Sequence, residues 1–528
     1  MRRTKRWLKA LFLLLLILAV TGVAIRMFAR LPSLDGRTVS HAWVDTDDSR
    51  IGRAVVSSTA GHPGFSGIHL LDDGRDAFAA RILLARAAER SIDVQYYIWH
   101  GDVTGTLLFN ELRAAADRGV RVRLLQDDNT TYGLDERLAA LDAHPNIEVR
   151  LFNPFVIRSP RWIGYVTDFL RLNRRMHNKS FTVDNQATIV GGRNIGDEYF
   201  GAGDGGLFVD LDVLAIGPVV RDVSSDFDRY WASASSYPAD RILPRVSAAR
   251  RDEIETAAKS VGNSPAAQHY IEALKHKSIV TRLAESSLPF YWSPVRMVSD
   301  DPAKALGRAP REGLLITRLD RLLERPRQRV QLVSGYFVPT KKGVDAFTAM
   351  AGRGVHLNIV TNALEATDVP IVHAGYAHYR KPLLEAGVRL WELRSEAGAV
   401  SLRDVAGSSG ARSVIGSSSA ALHAKTFTVD GERVFVGSFN FDPRSARLNT
   451  ELGFVIHHAE LAHRMDADLE RSIPLIAYEL QLSGKGGLIW IERRADGTEV
   501  RYNTEPGTTF WQRAVVSFLS MLPIEWLL

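Results

Sequence analysis

The 528-residue sequence predicts an α/β protein of two pseudo-symmetric halves, each a mixed, largely parallel sheet flanked by helices, with an N-terminal transmembrane helix. Three observations lead to this prediction. The chain begins with a basic segment and a long apolar run, and helical and strand patterns alternate in two separate regions. In addition, one eight-residue motif is written twice, as HNKSFTVD and HAKTFTVD. A repeat of this kind indicates duplicated structural units.

The N-terminal segment is predicted to be a membrane anchor. Five basic residues within MRRTKRWLK precede an apolar run from Ala10 to Ile25. As a helix this run spans about 24 Å, and snorkelling of Lys9 and Arg26 extends it towards the roughly 30 Å hydrocarbon core. A cleaved signal peptide is the alternative. Because more positive charge precedes the run than follows it, we expect the catalytic part outside the cytoplasm.

Alternating patterns divide the rest of the chain into two halves. Residues 79–128 read as helix, strand, helix and strand, and residues 328–393 repeat the alternation. Strands that alternate with helices indicate parallel sheets. The predicted boundaries are a membrane anchor at 1–30, a linker at 31–62, the first half at 63–245, a helical linker at 246–310, the second half at 311–480, and a C-terminal hairpin and amphipathic segment at 481–528.

The repeated motif extends beyond its eight letters. After each histidine come a lysine at +2, an aspartate at +7, two small residues at +14 and +15, and an asparagine at +17. Each copy reads as a β-hairpin with Asp-Asn or Asp-Gly at its turn, so histidine and lysine share one strand face. The first copy supplies His177, Lys179, Asp184, Gly191, Gly192 and Asn194, and the second supplies His423, Lys425, Asp430, Gly437, Ser438 and Asn440.

Two such strands brought together predict nucleophilic and acid–base chemistry on an anionic substrate. One neutral imidazole can attack while the other, protonated, gives its proton to the leaving oxygen. The lysines and asparagines supply donors for a phosphodiester, and the small residues Gly192 and Ser438 let the backbone approach it closely. We expect Asp184 and Asp430 to cap their own turns rather than contact the substrate.

Composition excludes several kinds of active site and argues against some partners. The chain has no cysteine, which excludes disulfides, thiolate metal sites and cysteine nucleophiles. Neither motif is accompanied by the carboxylate or histidine clusters that hold zinc or magnesium, so we expect no metal and no cofactor. A net charge of +6 is mild for this length, whereas a nuclease is expected to carry a denser basic stripe. We therefore expect no nucleic-acid partner.

The duplicated H-x-K-x4-D motif followed by G-[GS]-x-N resembles the phospholipase D superfamily. Longer stretches, among them GGRNIGDEYF, GYFVPT and VGSFNFDPRSARLNTELG, resemble bacterial cardiolipin synthases, nearest the C type, over most of the chain. The resemblance implies a phosphohistidine intermediate, in which His177 attacks phosphorus and His423 protonates the departing alcohol. The chain departs from the superfamily pattern at Gly192, where serine is common, so one hydroxyl donor is absent.

A catalytic histidine needs its second ring nitrogen held, which an acidic residue does best. NTELG after the second motif offers Glu451, and FVDLDV after the first offers Asp210. Asp212 stays open as an alternative, because it lies two residues on and would share the strand face. The superfamily resemblance implies that each acid orients the histidine of the opposite half. Glu451 would then orient His177, and Asp210 would orient His423.

The motif does not decide between hydrolysis and transfer. We favour phosphatidyl transfer that makes cardiolipin, with phosphatidylglycerol as acceptor and phosphatidylglycerol or phosphatidylethanolamine as donor by the family resemblance. The alternatives are a hydrolytic phospholipase D, then a nuclease or other phosphodiesterase of the superfamily, and last a membrane-tethered binding protein. The expected partners are phospholipid substrates and the bacterial inner (cytoplasmic) membrane. Whether a helper protein takes part stays open.

Two further segments favour a lipid substrate. Residues 161–175 alternate aromatic and basic residues directly before His177, and residues 510–528 end in Trp-Leu-Leu. Each segment can lie in the headgroup region of a bilayer, and packing on the protein core is the alternative for each. Arg444 is a candidate phosphate ligand, with a structural salt bridge as the alternative.

Overall fold

The structure is a computed structural model that describes most of the chain. The described residues are 7, 9, 12, 13, 16, 20, 22, 23, 29–202, 207–275, 282, 287–323, 325–395, 420–494 and 496–528. The predicted transmembrane run, residues 10–25, lies largely outside them. Within the described part of the chain, no helix combines the length and the apolar character needed to cross a bilayer. The membrane anchor therefore stays a prediction.

The first half is organised around a nine-stranded sheet. The motif strand lies at its centre, between its hairpin partner and the strand Ser91–Tyr96. In sheet order the strands are Tyr291–Ser293 (β10), Ser66–Leu71 (β1), Asp212–Ile216 (β8), Ala187–Gly191 (β6), Ser180–Val183 (β5), Ser91–Tyr96 (β2), Arg121–Asp127 (β3), Ile147–Phe152 (β4) and Ser236–Pro238 (β9).

The second half repeats this arrangement in a ten-stranded sheet. In sheet order its strands are Val295–Ser299 (β11), Leu452–His457 (β18), Arg433–Gly437 (β17), Lys425–Val429 (β16), Arg329–Ser334 (β12), His356–Asn362 (β13), Arg389–Leu393 (β14), Ala477–Leu482 (β19), Leu488–Arg493 (β20) and Glu499–Tyr502 (β21). A separate two-stranded sheet joins the halves, since Leu207–Val209 (β7) pairs in parallel with Ala420–Leu422 (β15).

The prediction of largely parallel sheets is wrong. Among the described strands of the two large sheets, parallel pairing is confined to β2, β3 and β4 in one and to β12, β13 and β14 in the other. The motif hairpins β5–β6 and β16–β17 and their neighbours pair antiparallel. The pairing of β5 with β2 and of β16 with β12 joins strands that are far apart in the chain, whereas tight turns set the direction of the two hairpin pairs. Asp184, Asn185, Asp430 and Gly431 have φ between 50° and 67°, which joins adjacent strands directly and forces them to run in opposite directions.

Helices pack against both sheets. Their starts follow ordinary capping chemistry: the side chains of Asp73 and Asp102, for example, accept hydrogen bonds from first-turn N–H groups. The α-helices are Arg50–Thr59 (α1), Gly74–Ala87 (α2), Val103–Asp117 (α3), Asp135–Asp142 (α4), Trp162–Thr167 (α5), Phe169–Leu172 (α6), Asp197–Phe200 (α7), Val219–Trp231 (α8), Ala248–Gly262 (α9), Pro265–Lys275 (α10), Leu315–Leu323 (α11), Thr340–Gly352 (α12), Pro370–Ala377 (α13), Arg380–Glu385 (α14), Pro443–Arg447 (α15), Ala459–Ile476 (α16) and Phe510–Ser520 (α17).

The predicted helical linker at 246–310 needs correction. Helices α9 and α10 occupy its first part, but strands β10 and β11 follow, separated by Pro294 alone. β10 extends the first sheet through β1, and β11 extends the second sheet through β18. Likewise, β19, β20 and β21 carry the second sheet to Tyr502, past the boundary predicted at residue 480. Strand pairing of this kind depends on distant partners, which local patterns do not reveal.

The two halves pack through a shared apolar layer. Val190 on β6 and Val213 on β8 belong to one buried cluster with Val434 and Val436 on β17 and Phe454 on β18. β6 and β17 lie next to the motif strands β5 and β16, and β8 and β18 are the next strands out in each sheet. The packing therefore brings the starts of the two motif strands, where the histidines lie, to the junction between the halves.

Candidate active site

Main-chain hydrogen bonds connect each motif histidine to the opposite half. His177 lies just before β5, and its N–H donates to the carbonyl of Thr450 at 2.9 Å. His423 lies just before β16, and its N–H donates to the carbonyl of Val209, also at 2.9 Å. Each of these carbonyl residues directly precedes one of the two predicted acids. The backbone pairing thus places each acid beside a histidine of the other half.

Each imidazole is held by one of these acids. His177 Nδ1 lies 2.8 Å from Glu451 Oε2, and His423 Nδ1 lies 2.6 Å from Asp210 Oδ2. The four residues are buried. Since Nδ1 of each ring is engaged by a carboxylate, Nε2 is the nitrogen left for chemistry. Both imidazoles therefore have a fixed orientation.

The alternative acid, Asp212, belongs to a different network. Its Oδ2 accepts from the guanidinium of Arg81 at 2.8 Å, and its Oδ1 accepts from the N–H of Arg193 at 3.1 Å. The rule that residues two apart share a face fails here, because the chain leaves β7 before Asp210 and enters β8 only at Asp212. The buried ion pair with Arg81 links α2 to β8.

The two acids differ in ionisation. Burial raises the pKa of Glu451 to about 7, and the charge of Lys179 opposes this rise only in part. Asp210 is equally buried, and burial alone would raise the pKa of its carboxyl. The charges of His423 and Lys425 outweigh this effect and hold that pKa well below the usual range. At neutral pH, His423 therefore faces a carboxylate that is fully ionised.

The surroundings of the two imidazoles also affect their pKa values differently. Burial, reinforced by the charge of Lys179, lowers the pKa of His177 well below its usual value. Burial also lowers the pKa of His423, but the carboxylate of Asp210 opposes the shift. A neutral imidazole is the nucleophilic form, and a carboxylate partner stabilises an imidazolium. The electrostatics therefore favour His177 as the nucleophile and His423 as the proton carrier.

The two motif lysines are buried beside the histidines. Lys179 Nζ donates to the carbonyl oxygen of His177 at 2.6 Å, and Lys425 Nζ donates to that of His423. Burial lowers the pKa of both lysines, and that of Lys179 falls well below its usual value. Two cations removed from water in one place create a site that an anionic group would stabilise.

The motif asparagines differ from each other. Both ends of the Asn194 amide are engaged, since Nδ2 donates to the hydroxyl of Tyr199 at 2.9 Å and Oδ1 accepts from the N–H of Ile98 at 3.2 Å. One hydrogen of the Asn194 N–H₂ group is therefore used within the fold, and the donation of its other hydrogen to a phosphate stays a prediction. Asn440 is buried, and its side-chain oxygen has no partner among the residues described here.

The small residues at +15 make contact with the acids. A Cβ at Gly192 would lie 2.1 Å from Asp210 Oδ1, so only glycine leaves room for that carboxylate. At the equivalent place, the hydroxyl of Ser438 donates to Glu451 Oε2. The main-chain N–H groups of both small residues donate to main-chain carbonyls, at 3.1 and 2.9 Å. The backbone donors predicted for the phosphate are thus already engaged within the fold.

The turn aspartates are structural, although they do not cap their own turns as predicted. Asp184 accepts from the N–H groups of residues 89–91, which lead into β2, at 2.8–3.3 Å. Asp430 does the same for residues 327–329, which lead into β12, at 2.8–3.1 Å. Each aspartate therefore ties its motif hairpin to the neighbouring strand, a long-range role that turn chemistry alone does not indicate.

Arg444 is not free to bind phosphate in this structure. Its guanidinium donates to the carbonyl of Leu527 at 2.7 and 3.0 Å, and to the carbonyl and side-chain oxygens of Asn173 at 3.1 and 2.8 Å. Its main-chain N–H donates to the carbonyl of Leu528 at 2.6 Å. The candidate role in phosphate binding is therefore replaced by a structural one, with neutral oxygens in place of the carboxylate of a salt bridge.

Four aromatic rings that sequence reasoning missed surround the imidazoles. The ring of Tyr97 meets His177 edge-on, with centroids 5.1 Å apart. Around His423 lie the rings of Tyr199, Phe208 and Tyr336, at centroid distances of 5.2, 5.1 and 6.4 Å. Tyr97 directly follows the central strand β2, and Tyr336 lies two residues after the end of the central strand β12. That position, at the strand ends nearest the histidines, was the available signal.

A second pair of equivalent residues was also missed. Asp127 at the end of β3 accepts from the N–H of Met176 at 2.7 Å, and Asn362 at the end of β13 accepts from the N–H of Leu422 at 2.7 Å. Both donors directly precede a motif histidine. A polar residue ending the second parallel strand of each half was the signal, and the repeat therefore extends upstream of the motif itself.

Among the described residues, one group has the spacing of a metal site, and it lies apart from the histidine pair. His100, Asp102 and Glu198 bring possible ligand atoms within 4.8 Å of one another. The Asp102 carboxylate already accepts from two main-chain N–H groups, those of Gly105 at 3.0 Å and Asp197 at 2.8 Å. Asp102 is thus engaged in capping the start of α3, and chemistry without a metal or cofactor stays a prediction.

Comparison with known proteins agrees with this geometry. A family model described as "Cardiolipin synthase, PLD-like domain" matches residues 82–231 and 319–473. Cardiolipin synthase C of Escherichia coli (strain K12) is 50% identical over 479 residues, covering 91% of this chain and 100% of that protein. An uncharacterized protein of Helicobacter pylori is 33% identical over 484 residues, covering 90% of this chain and 92% of that protein.

A solved structure shares the fold. The crystal structure of phosphatidylserine synthase from Haemophilus influenzae Rd KW20 matches with a TM-score of 0.52 at 14% identity, covering 81% of this chain and 92% of that chain. Similarity at this level of identity concerns the fold alone. The family model, in contrast, matches both halves of the chain. The 50% sequence identity to cardiolipin synthase C extends over 91% of this chain. The chain belongs to the cardiolipin synthase family of phospholipase D-like proteins.

Proposed function

We propose that this chain is a phosphatidyltransferase that makes cardiolipin from phosphatidylglycerol and a second phospholipid through a phosphohistidine intermediate. The observation that carries the proposal is the pair of imidazoles from opposite halves, each with Nδ1 on an acid and Nε2 left for the substrate. The identity of 50% to a protein named cardiolipin synthase C supports the same reaction.

In the first step, Nε2 of His177 attacks the phosphorus of the donor lipid. A P–N bond forms and the P–O bond to the donor's headgroup alcohol breaks, while His423 Nε2 gives its proton to the leaving oxygen. The donor is phosphatidylglycerol or phosphatidylethanolamine, so the leaving alcohol is glycerol or ethanolamine. The low pKa of His177 keeps its imidazole in the attacking form, and the carboxylate of Asp210 stabilises the protonated form of His423.

In the second step, the now neutral His423 takes a proton from a hydroxyl of phosphatidylglycerol. That oxygen attacks phosphorus, the P–N bond to His177 breaks, and cardiolipin leaves with both histidines restored. Water in place of the lipid alcohol would give phosphatidic acid, the hydrolytic outcome. Negative charge on the non-bridging oxygens is stabilised by Lys179 and Lys425, whose burial makes an anion between them favourable.

We also propose that a single N-terminal span holds the chain at the bacterial inner membrane, with the catalytic part outside the cytoplasm. The five basic residues before the apolar run support this orientation. Because the chain has no cysteine, one cysteine placed at Val39, which is 81% exposed, reports the location directly. A membrane-impermeant maleimide should label it in spheroplasts, and labelling only after lysis would place the domain in the cytoplasm.

The reaction is tested with the purified full chain and isotopically labelled phosphatidylglycerol and phosphatidylethanolamine, supplied separately and together. Mass spectrometry of the products should show cardiolipin, with the label revealing which lipid is the donor. Phosphatidic acid as the sole product would replace transfer by hydrolysis. No product from any mixture, together with cleavage of a nucleic acid, would favour the phosphodiesterase alternative.

A further inference from the structure

Helix α17 carries apolar side chains on two adjacent faces, one turned to the protein and one to solvent. Val516 and Leu519 form its inner face and pack against Leu364 and Ala374. The outer face has side chains at helical spacing that are 52–74% exposed, those of Trp511, Val515 and Phe518. Leu522, two residues past the end of the helix, continues this stripe at 38% exposure. Packing on the core, the alternative offered by the sequence, therefore explains only the inner face. The outer stripe has no cover among the residues that the structure describes.

A second exposed apolar stripe lies on the segment from α5 to α6. Trp162 and Val166 lie one turn apart on α5, Leu170 lies on α6, and the three side chains are 64–76% exposed. The stripe lies close to the catalytic histidine. Tyr165 on α5 donates its hydroxyl to Asn129, and Asn129 Nδ2 donates to the hydroxyl of Tyr97 at 3.2 Å. Since the ring of Tyr97 contacts His177, the segment borders the first-half side of the site.

Arg444 holds these two segments together. One guanidinium bonds Asn173, the residue after α6, and Leu527, in the tail that follows α17. The segments come from opposite halves, 271 residues separating Arg444 from Asn173. The segments that carry the two stripes are therefore fixed to each other through Arg444.

Positive charge lies between the stripes. Arg174 donates to the carbonyl of Arg447 at 3.2 Å, so these two arginines are neighbours next to Arg444. Neither arginine has a carboxylate partner in the part of the chain that the structure describes, and Arg447 is exposed. Exposed aromatic and aliphatic side chains around unpaired arginines fit the headgroup region of an anionic bilayer. A protein partner would more commonly meet such arginines with carboxylates.

We propose that the outer stripe of α17, the stripe of α5–α6 and the arginines between them form one bilayer-binding surface. This surface lays the mouth of the active site on an anionic membrane, so that lipid headgroups reach His177 without leaving the bilayer. The inference rests on the proposed function in one respect, namely that the substrates are bilayer lipids. It is distinct from the N-terminal anchor, which tethers the chain without orienting the site.

The contact is tested by spin labels on the full chain. Single cysteines at Leu170 and Phe518 are labelled in the cysteine-free background, with Val56 on α1 as the matched exposed control at 48% exposure. In vesicles of phosphatidylethanolamine and phosphatidylglycerol, labels 170 and 518 should gain oxygen accessibility and lose access to a water-soluble relaxant, whereas label 56 should not change. Equal water access at all three positions would overturn the proposal. Dipolar coupling between labelled copies in micelles would instead assign the surface to a second copy.

A kinetic test separates this inference from the reaction itself. Leu170→Ser and Phe518→Ser should each lower the rate on vesicle substrate by about tenfold or more while leaving the rate on dispersed short-chain phosphatidylglycerol unchanged. Val56→Ser should match the wild type on both substrates. Equal loss on both substrates would show a folding effect and overturn the surface, as would no loss on vesicles. Absence of cardiolipin from the wild type on either substrate would contradict the proposed function instead.

Discussion

His423 and Asp210 touch through Nδ1 and Oδ2 at 2.6 Å although 213 residues separate them in the chain. The equivalent contact between His177 and Glu451 spans 274 residues and crosses between the halves in the opposite direction. Neither half therefore holds a complete catalytic pair. Each supplies the histidine that the other half orients, which makes the chemistry depend on correct packing of the whole chain.

Replacing either histidine should abolish cardiolipin formation, but the two variants should differ in whether a covalent intermediate forms. In His177→Ala no covalent adduct can form, because the nucleophile is lost. In His423→Ala attack on a good leaving group should still proceed, and the phosphatidyl-enzyme should accumulate because no base activates the second alcohol. Acid-quenched mass spectrometry of enzyme exposed to a phosphatidyl ester with an activated phenol leaving group measures the adduct. An adduct on His423 in the His177 variant would reverse the assigned roles.

Asp210→Asn should lower the turnover rate by about a hundredfold or more, since the amide no longer stabilises the protonated ring of His423. Asp212→Asn should instead leave Arg81 buried without its carboxylate and destabilise the fold by about 3–5 kcal/mol. Thermal melting and turnover of both variants separate the two effects. Similar losses of turnover per folded molecule would show that the contact with His423 does not distinguish the two acids.

Gly192→Ala should inactivate the enzyme although it adds a single methyl group. The new Cβ would lie 2.1 Å from Asp210 Oδ1, so the carboxylate must leave its place beside His423. Ser438→Ala is the matched change in the second half, and it removes one hydrogen bond to Glu451 without a clash. We expect it to cost far less turnover. Turnover assays of both variants check this, and an active Gly192→Ala would mean that Asp210 can move freely.

Stability should depend on pH through Glu451. Its pKa rises from 4.5 towards about 7 on folding, so the folded state binds the proton more tightly than the unfolded state does. This contribution is fully present below about pH 4.5 and is lost as the pH rises through about 7. Glu451→Gln removes the dependence. Between pH 5 and pH 8 the melting temperature should fall more for the wild type than for the variant. An equal fall in both would contradict the raised pKa of Glu451.

Asp184→Ala should lower the free energy of unfolding by about 1–3 kcal/mol, because one buried and one partly buried N–H group leading into β2 lose their acceptor. Asp430→Ala is the natural comparison and should cost less, since two of the N–H groups that it caps lie in an exposed segment. Chemical denaturation measures both. Turnover per folded molecule should stay near the wild-type value, and a selective loss of turnover would indicate a direct role in catalysis.

The sequence alone determined the duplicated motif, the two hairpins, the order of central strands and helices, and the chemistry of paired imidazoles. Each of these is written in local patterns: turn residues at fixed offsets, alternating side-chain faces, and an exact spacing of His, Lys and Asn. The resemblance carried by those letters also identified the family, which both matched regions of the chain bear out. Asp210 and Glu451 were named from their neighbours in sequence.

Only the tertiary structure decided which atoms meet. The choice of Asp210 over Asp212 follows from a change of sheet between β7 and β8 that periodicity does not show. The role of Gly192 depends on a carboxylate 18 positions later, and that of Arg444 on the distant Asn173 and the C-terminal residues. The antiparallel edges of both sheets were missed for the same reason. Long-range contacts are set by how preformed elements pack, and packing leaves no fixed spacing in the chain.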